Sequence, residues 1–396
     1  SNEPFFKDNV SRDAVNFLKL RASWGRNGNI NVLNNYPYAA VINANSDWYQ
    51  YNSEFSQTYG SEPNGLANPD LEWEESEQID LGLDARFMDS RLTLGVDWYK
   101  KTTKGLLVAI SPLLETGVKS TMANAGEVLN KGLEVELGWK DKVGDLYYSV
   151  NANLATLHNE LTYLDPTVDK IPGIGLQGSS ITTECVVGKP LWHFLGYKTE
   201  GFDEEGVAIY SDLNGDGEFQ PNESDMTDLG SGLPTLNYGM TINLEYKGFD
   251  LVVFGTGVSG NKILPQAWRT DRAYCNNYSW FYENAWDPET QSGKFPVISK
   301  KGWSKYAFSS DMTVFSGNYF KIKQIQLGYS LPKELLSKIY ISRLRVFASL
   351  ENFFTFSKYP GLDPEAASAN NQNALGIDMG TYPTAKQVIF GVNLTF

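Results

Sequence analysis

Residues 212–223, DLNGDGEFQPNE, satisfy every defined position of the D-x-N-x-D-G-x5-E calcium-loop pattern. Side-chain oxygens of Asp212, Asn214 and Asp216 would converge on one point, and Gly217 permits the sharp turn. Glu218 would offer its carbonyl, and Glu223 would close the shell. No helical pattern flanks the segment, so a free-standing loop holding a structural calcium is expected, against the plainer reading of a Gly/Asp-rich surface turn. Other chemistry-bearing residues are few. Two cysteines, Cys185 and Cys275, do not make a disulfide framework or a zinc site, and two histidines, His158 and His193, leave little for metal or acid–base chemistry. His193, within PLWHF, reads as a packed residue, and His158 as a solvated strand end. Cys185 and Cys275 fall in long connecting segments, where one disulfide and two separate thiols are both open. Glu74, Glu75 and Glu77 could imitate an acid–base pair, although a solvated loop end is the simpler reading. There is no nucleophile elbow, H-E-x-x-H or P-loop, so the chain is not expected to be an enzyme.

Aromatic residues gather in two long connections. One group holds Trp48, Tyr49 and Tyr51; the other holds Trp268, Tyr274, Trp280 and Tyr282. Flat rings among Asn, Asp and Arg suit sugar faces or peptide side chains, and these seven are the candidate ligand contacts. Packing of loop on loop, or of loop on a partner protein, is the blander alternative.

The elements that must position these residues are strands. In 78–87, Ile79, Leu81, Leu83, Ala85 and Phe87 share one face, while Gln78, Asp80, Gly82, Asp84 and Arg86 share the other. After a turn at 88–90, Leu92, Leu94, Val96 and Trp98 oppose Arg91, Thr93, Gly95 and Asp97. The same two-residue period recurs in Leu133–Trp139, Tyr148–Leu154, Met240–Tyr246, Leu344–Leu350 and Val388–Phe396, which predicts half-buried strands throughout. About ten are expected, near 15–24, 74–87, 91–103, 131–141, 145–157, 234–247, 249–257, 319–330, 342–355 and 386–396. A change of phase near Lys323 predicts a bulge. Short connections at 88–90, 141–145, 247–248 and 332–342 alternate with long ones at 25–73, 103–130, 158–232, 258–318 and 354–385. That asymmetry fits a transmembrane barrel, with aromatic residues Trp24, Trp98, Tyr99, Trp139, Tyr246 and Tyr329 as its interfacial girdles. The apolar faces would meet outer-membrane lipid.

Composition agrees. The 396 residues carry 33 Lys+Arg against 47 Asp+Glu, a net charge of −14, so no nucleic acid is expected as partner. With 20% charged residues, 13% aromatics and 36 glycines, the chain is not disordered. No apolar run is long enough for a transmembrane helix, which leaves transmembrane strands open.

Several segments resemble the SusC/RagA family of TonB-linked outer-membrane transporters. They are FLKLRASWG at 17–25 followed by NGN at 27–29, NPDLEWE at 68–74, NKGLE at 130–134 and YKGFDL at 246–251. YFKIK at 319–323, LGYSLP at 327–332 and the ending FGVNLTF at 390–396 complete the set, in order along the whole chain. The resemblance implies an antiparallel, all-β, 22-stranded barrel in the outer membrane, with a plug and a TonB-contacting segment. It also implies active import of an oligosaccharide or peptide under a SusD-like surface lipoprotein. Ten strands would make residues 1–396 the C-terminal portion of that barrel, with 203–232 as an extracellular loop region. The remaining strands, the plug and the contact with the TonB complex would lie in an N-terminal part of the same transporter. Without the resemblance, a complete ten-stranded passive porin or adhesin and a soluble carbohydrate-binding β-protein stay open.

Overall fold

The computed structural model describes residues 3, 15–29, 38–50, 57–63, 65–110, 114–117, 121–175, 181–266, 279–299, 309–336, 341–365 and 374–396. For 45–50, 57–58 and 109 only the backbone is described. Ten strands form one wall: β1 (Val15–Asn29), β2 (Glu74–Phe87), β3 (Leu92–Ile110), β4 (Thr121–Val143), β5 (Leu146–Thr156), β6 (Leu236–Tyr246), β7 (Phe249–Ser259), β8 (Tyr319–Ser330), β9 (Arg343–Ser357) and β10 (Gln387–Thr395). Each pairs antiparallel with the next in chain order, so the wall is an up-and-down meander. A further strand, His158–Leu164, prolongs β5 past Leu157 and pairs with the upper half of β4.

Two neighbouring rows of residues show why this sequence makes a wall with two solvents. Leu20, Leu83, Val96, Val135, Leu154, Tyr238, Gly257, Phe320 and Phe356 stand abreast on nine consecutive strands. One residue away, Lys19, Asp84, Gly95, Glu136, Asn153, Gly239, Thr256, Lys321 and Thr355 stand abreast on the other face. Successive side chains of a strand point to opposite faces, so the first row belongs to lipid and the second to water. The same register puts Ile79, Leu81, Leu83, Leu92, Leu94, Val96, Leu133, Val135 and Leu137 on the apolar face, and Asp80, Asp84, Arg86, Asp97, Glu134 and Glu136 on the polar one. Aromatic residues close the apolar band of β6 at both ends, Tyr238 above and Tyr246 below. Tyr99 departs from the expected girdle: it pairs with Asp80 on the polar face, and its hydroxyl donates to the Thr156 carbonyl at 3.3 Å.

Tight turns join the strands at one end. Lys247 and Gly248 both have positive φ (47° and 87°), the primed turn whose twist matches the strands it joins. The phase change lies where the alternation placed it. The β8–β9 register slips between Ile322 and Gln324, opposite Asn352 at φ 58°, so Ile322 and Phe354 stay on the apolar face.

The other end is built up rather than loose. Residues 103–130 do not form the long loop expected. β3 runs on to Ile110 and β4 begins at Thr121, so the hairpin projects well past the apolar band. Clear of lipid these strands need no strict alternation, and two register shifts between Thr103 and Leu107 disturb it further. In 158–232 a four-stranded sheet forms from Ile171–Gly175, Thr182–Cys185, His193–Tyr197 and Met226–Ser231. Two clusters of buried apolar residues lie at this end of the wall. One cluster joins Ile263, Phe281, Phe295, Met312, Phe315 and Tyr359, and a second joins Ile181, Phe194, Leu264, Ala374 and Ile377.

The wall stays open. Its strand order runs from β1 to β10 without return, and among the described residues these two strands do not pair. A closed ten-stranded barrel is therefore not what the chain forms. Val388, Phe390, Val392 and Phe396 at the β10 edge are all more than half exposed.

Candidate functional site

The polar face carries ion pairs that reach over intervening strands. Arg21 on β1 donates to Asp84 on β2 (Nε–Oδ2 2.9 Å) and to Asp97 on β3 (Nη2–Oδ2 2.8 Å). It can do so because Gly82, directly between Arg21 and Asp97, has no side chain; a Cβ there would lie 2.2 Å from an Asp97 oxygen. At the opposite end of the wall Arg345 on β9 grips Asp250 on β7 through both carboxylate oxygens, across Gly328 on β8. A guanidinium fork matched to a carboxylate fixes geometry as well as charge. Asp80 accepts from Ser23 and Gln78, and Glu134, Lys101 and Tyr99 line the same concavity. Such a surface suits water and polar solutes.

One long connection is fastened to this face. Lys321 of β8 is only 2% exposed, and its ammonium donates to both oxygens of Asp363 (2.9 and 2.8 Å), to Glu365 (2.8 Å) and to Thr384 (3.3 Å). Lys323 also binds Glu365. Burial alone would push the Asp363 and Glu365 carboxyls up. The lysine ammonium groups outweigh it, with Thr384 adding further bonds to Asp363, and hold both below the usual carboxylate range. Asp363, Glu365 and Thr384 are thus anchored on the inner face, and Tyr359 adds a hydrogen bond to Asp378 at 2.5 Å.

The acidic loop is knit by its own hydrogen bonds. Asp212 accepts the N–H groups of Gly215 and Gly217, both at 2.7 Å. Asn214 accepts from the Asp216 N–H, and Asp216 accepts from the Glu218 N–H and from the side-chain amides of Asn214 and Gln220. Glu223 is turned aside to Lys170 at 2.7 Å, and Glu218 is exposed. Among the described residues no three His, Cys, Asp or Glu side chains are grouped to hold a metal. The carboxylate at the heart of the loop is one the sequence motif does not name. Asp225, fully buried, accepts N–H groups from Gln220 (2.6 Å), Leu213 (3.1 Å) and Asn214 (3.3 Å), which hold its carboxyl below the ordinary range.

Of the aromatic candidates, Trp280 packs edge-on against Phe295 and Phe315, beneath the Lys294 ammonium. That ammonium lies 4.1 Å from the Phe315 ring centre, and burial lowers its pKa. Tyr282 is 47% exposed, with its ring against Phe281. Trp48 and Tyr49 lie in the strand Ile42–Gln50, in the part (45–50) of which the backbone alone is described; Tyr51, Trp268 and Tyr274 lie outside the described residues. Of the seven, Trp280 and Tyr282 are the two whose side chains are described.

His193 is packed as expected, 2% exposed, with its ring 3.3 Å from the Pro190 carbonyl and 3.5 Å from Glu184. Cys185 is a buried free thiol that accepts the Trp192 N–H, and burial pushes its pKa up to about 11. Cys275 lies outside the described residues. Of Glu74, Glu75 and Glu77, the first departs from a solvated loop end, while Glu75 keeps 45% of its side chain exposed. Glu74 is buried and bridges the Leu107 N–H and the Asn29 amide, while Glu77 accepts from the Trp24 indole and pairs with Arg26.

An antiparallel meander with lipid on one face, charged ladders on the other, tight turns at one end and a folded cap at the other defines an outer-membrane β-barrel wall. The sequence matches the family described as TonB dependent receptor-like, beta-barrel, over residues 12–319, and the chain belongs to that family. TonB-dependent receptor P3 of Formosa agariphila is 31% identical over 426 residues, covering 100% of this chain and 41% of the relative. TonB-dependent receptor SusC of Bacteroides thetaiotaomicron is 29% identical over 408 residues, covering 100% and 39%. The solved RagAB peptide transporter shares the fold, with a TM-score of 0.80 at 24% identity over 99% of this chain and 42% of that one. The chain thus spans about two fifths of the length of the curated relatives it matches.

Proposed function

We propose that this chain supplies wall, lumen and outer loops to a TonB-driven importer of an oligosaccharide or peptide. The observation that carries the reading is the wall itself, apolar on one face and laddered with charge on the other. An open edge in lipid would leave unpaired backbone groups costing several kcal/mol each, so β1 and β10 each need a further strand of a larger barrel. The plug, the TonB contact and those strands would come from the rest of the transporter. The relatives named SusC and RagAB support a surface lipoprotein of the SusD kind closing over the cap. The exposed Tyr282 and the aromatic segments 48–51 and 268–274 would face that partner or the solute. In cells lacking this protein, energy-dependent uptake of one nutrient class should be lost, and deleting tonB should have the same effect. Uptake that persists without TonB, with free leakage of small solutes, would mean a passive porin.

We propose further that calcium, supplied from outside the cell, occupies the loop 212–223. Asp212, Asn214 and Asp216 already lie within one hydrogen-bonded turn, which supports the reading. Glu223 does not fit the shell while it holds Lys170, so binding would exchange that ion pair for the metal. The ion would hold the loop rigid; no transport step runs through it.

A further inference from the structure

At the upper edge of the apolar band Trp24, Ile79, Lys100, Lys131 and His158 stand abreast on the outward face. The row beneath is apolar: Ala22, Leu81, Trp98 and Leu133. Lys100 and Lys131 are direct cross-strand partners, both exposed. Like charges placed directly opposite destabilise a strand pair. The acids on this face are engaged elsewhere. Glu77 takes the Trp24 indole N–H and pairs with Arg26 and Lys104, Glu75 pairs with Arg26, and Glu160 binds His158 at 2.9 Å. Lys100 acts on Glu77 through its charge alone, and among the described residues neither lysine has an ion-pair partner.

We propose that Lys100 and Lys131 jointly bind the phosphate group of an outer-leaflet lipid. Three features select that occupant. The pair lies one strand repeat above Trp98, at the height where an aromatic girdle meets headgroups. Long lysine stems lie along apolar surface while the ammonium groups reach the polar layer. Two ammonium groups without an ion-pair partner among the described residues are matched by a single dianionic phosphate, which offsets their repulsion. Trp24 and Trp98 would flank the lipid's apolar part. The inference rests on the outer-membrane placement of the wall and is independent of what is imported.

The test uses the full-length protein, reconstituted in nanodiscs containing a bis-phosphorylated glycolipid or the same lipid after dephosphorylation. Retained lipid is counted by native mass spectrometry. The wild-type protein should keep the phosphorylated lipid at least tenfold better than the K100Q/K131Q double variant. The K100R/K131R variant should keep it nearly as well as wild type, and the dephosphorylated lipid should not distinguish the three. Heat-modifiable gel mobility verifies that each variant is folded. Equal retention by wild type and K100Q/K131Q would overturn the proposal. Displacement of the lipid by millimolar inorganic phosphate would overturn the lipid assignment in favour of a free-anion site.

Discussion

Arg21 and Asp97 meet at 2.8 Å although a whole strand separates them, because the residue between them is Gly82. Replacing Gly82 by Val should drive the two side chains apart, since even a Cβ would lie 2.2 Å from Asp97 and 2.9 Å from the Arg21 guanidinium carbon. The backbone φ at Gly82 is not in the left-handed region, so the barrel should still assemble with unchanged heat-modifiable mobility. Uptake should fall, and it should recover in part when Asp97→Ala makes room.

Glu74 ties the tip of β1 to the projecting β3–β4 hairpin through the Asn29 amide (3.1 Å) and the Leu107 N–H (3.0 Å). Glu74→Ala leaves that N–H buried without its partner, a loss of about 2 kcal/mol for a bond to a charged acceptor. Limited proteolysis should then cut within 103–127 at least several-fold faster than in wild type, with the wall below untouched.

The Lys321 anchor gives a pH dependence of known sign. The folded Asp363 and Glu365 carboxyls lie below their unfolded values. Their contribution is therefore present above the unfolded value near pH 4 and is lost as pH falls through the folded ones. Hydrogen exchange in 359–365 should be slow at pH 7 and, after correction for intrinsic rates, lose its protection below about pH 4. Lys321→Met would strand the buried Asp363 carboxylate and leave half-buried Glu365 to Lys323 alone, costing about 3–5 kcal/mol, and should release residues 359–365 already at neutral pH.

How legible this was in the sequence depends on what each residue faces. Between two solvents every second position is dictated, so β2 could be placed at 74–87 and the slip at Lys323 could be located. Above the membrane that constraint lapses. The continuation of β3 through Leu106 and Leu107 and the four-stranded cap sheet carry little period-two signal. Tyr99 looked like girdle because it follows Trp98, but adjacent residues in a strand point to opposite faces. Asp225 was missed because the calcium pattern ends at Glu223; an acid two residues on, before a strand, was the only signal. The Lys321 cluster joins residues 42 or more apart in sequence, which no local pattern reveals.

Calcium should protect 212–223 from proteolysis with a millimolar or tighter midpoint, as extracellular-type sites do. Asp216→Ala should abolish that protection while leaving barrel melting unchanged. Asp225→Ala should loosen the loop with or without calcium, because its carboxylate holds backbone N–H groups directly. Equal protection of wild type and Asp216→Ala would leave the segment a hydrogen-bonded turn.

The two-faced wall is tested most directly by spin labels at successive positions of β6 in lipid bilayers, read by collision with oxygen or with a water-soluble nickel chelate. Labels at Met240, Ile242 and Leu244 should favour oxygen, and labels at Thr241, Asn243 and Glu245 should favour nickel, alternating residue by residue. Uniform access of nickel to all six, or the opposite alternation, would contradict the assignment of lipid and lumen to the two faces.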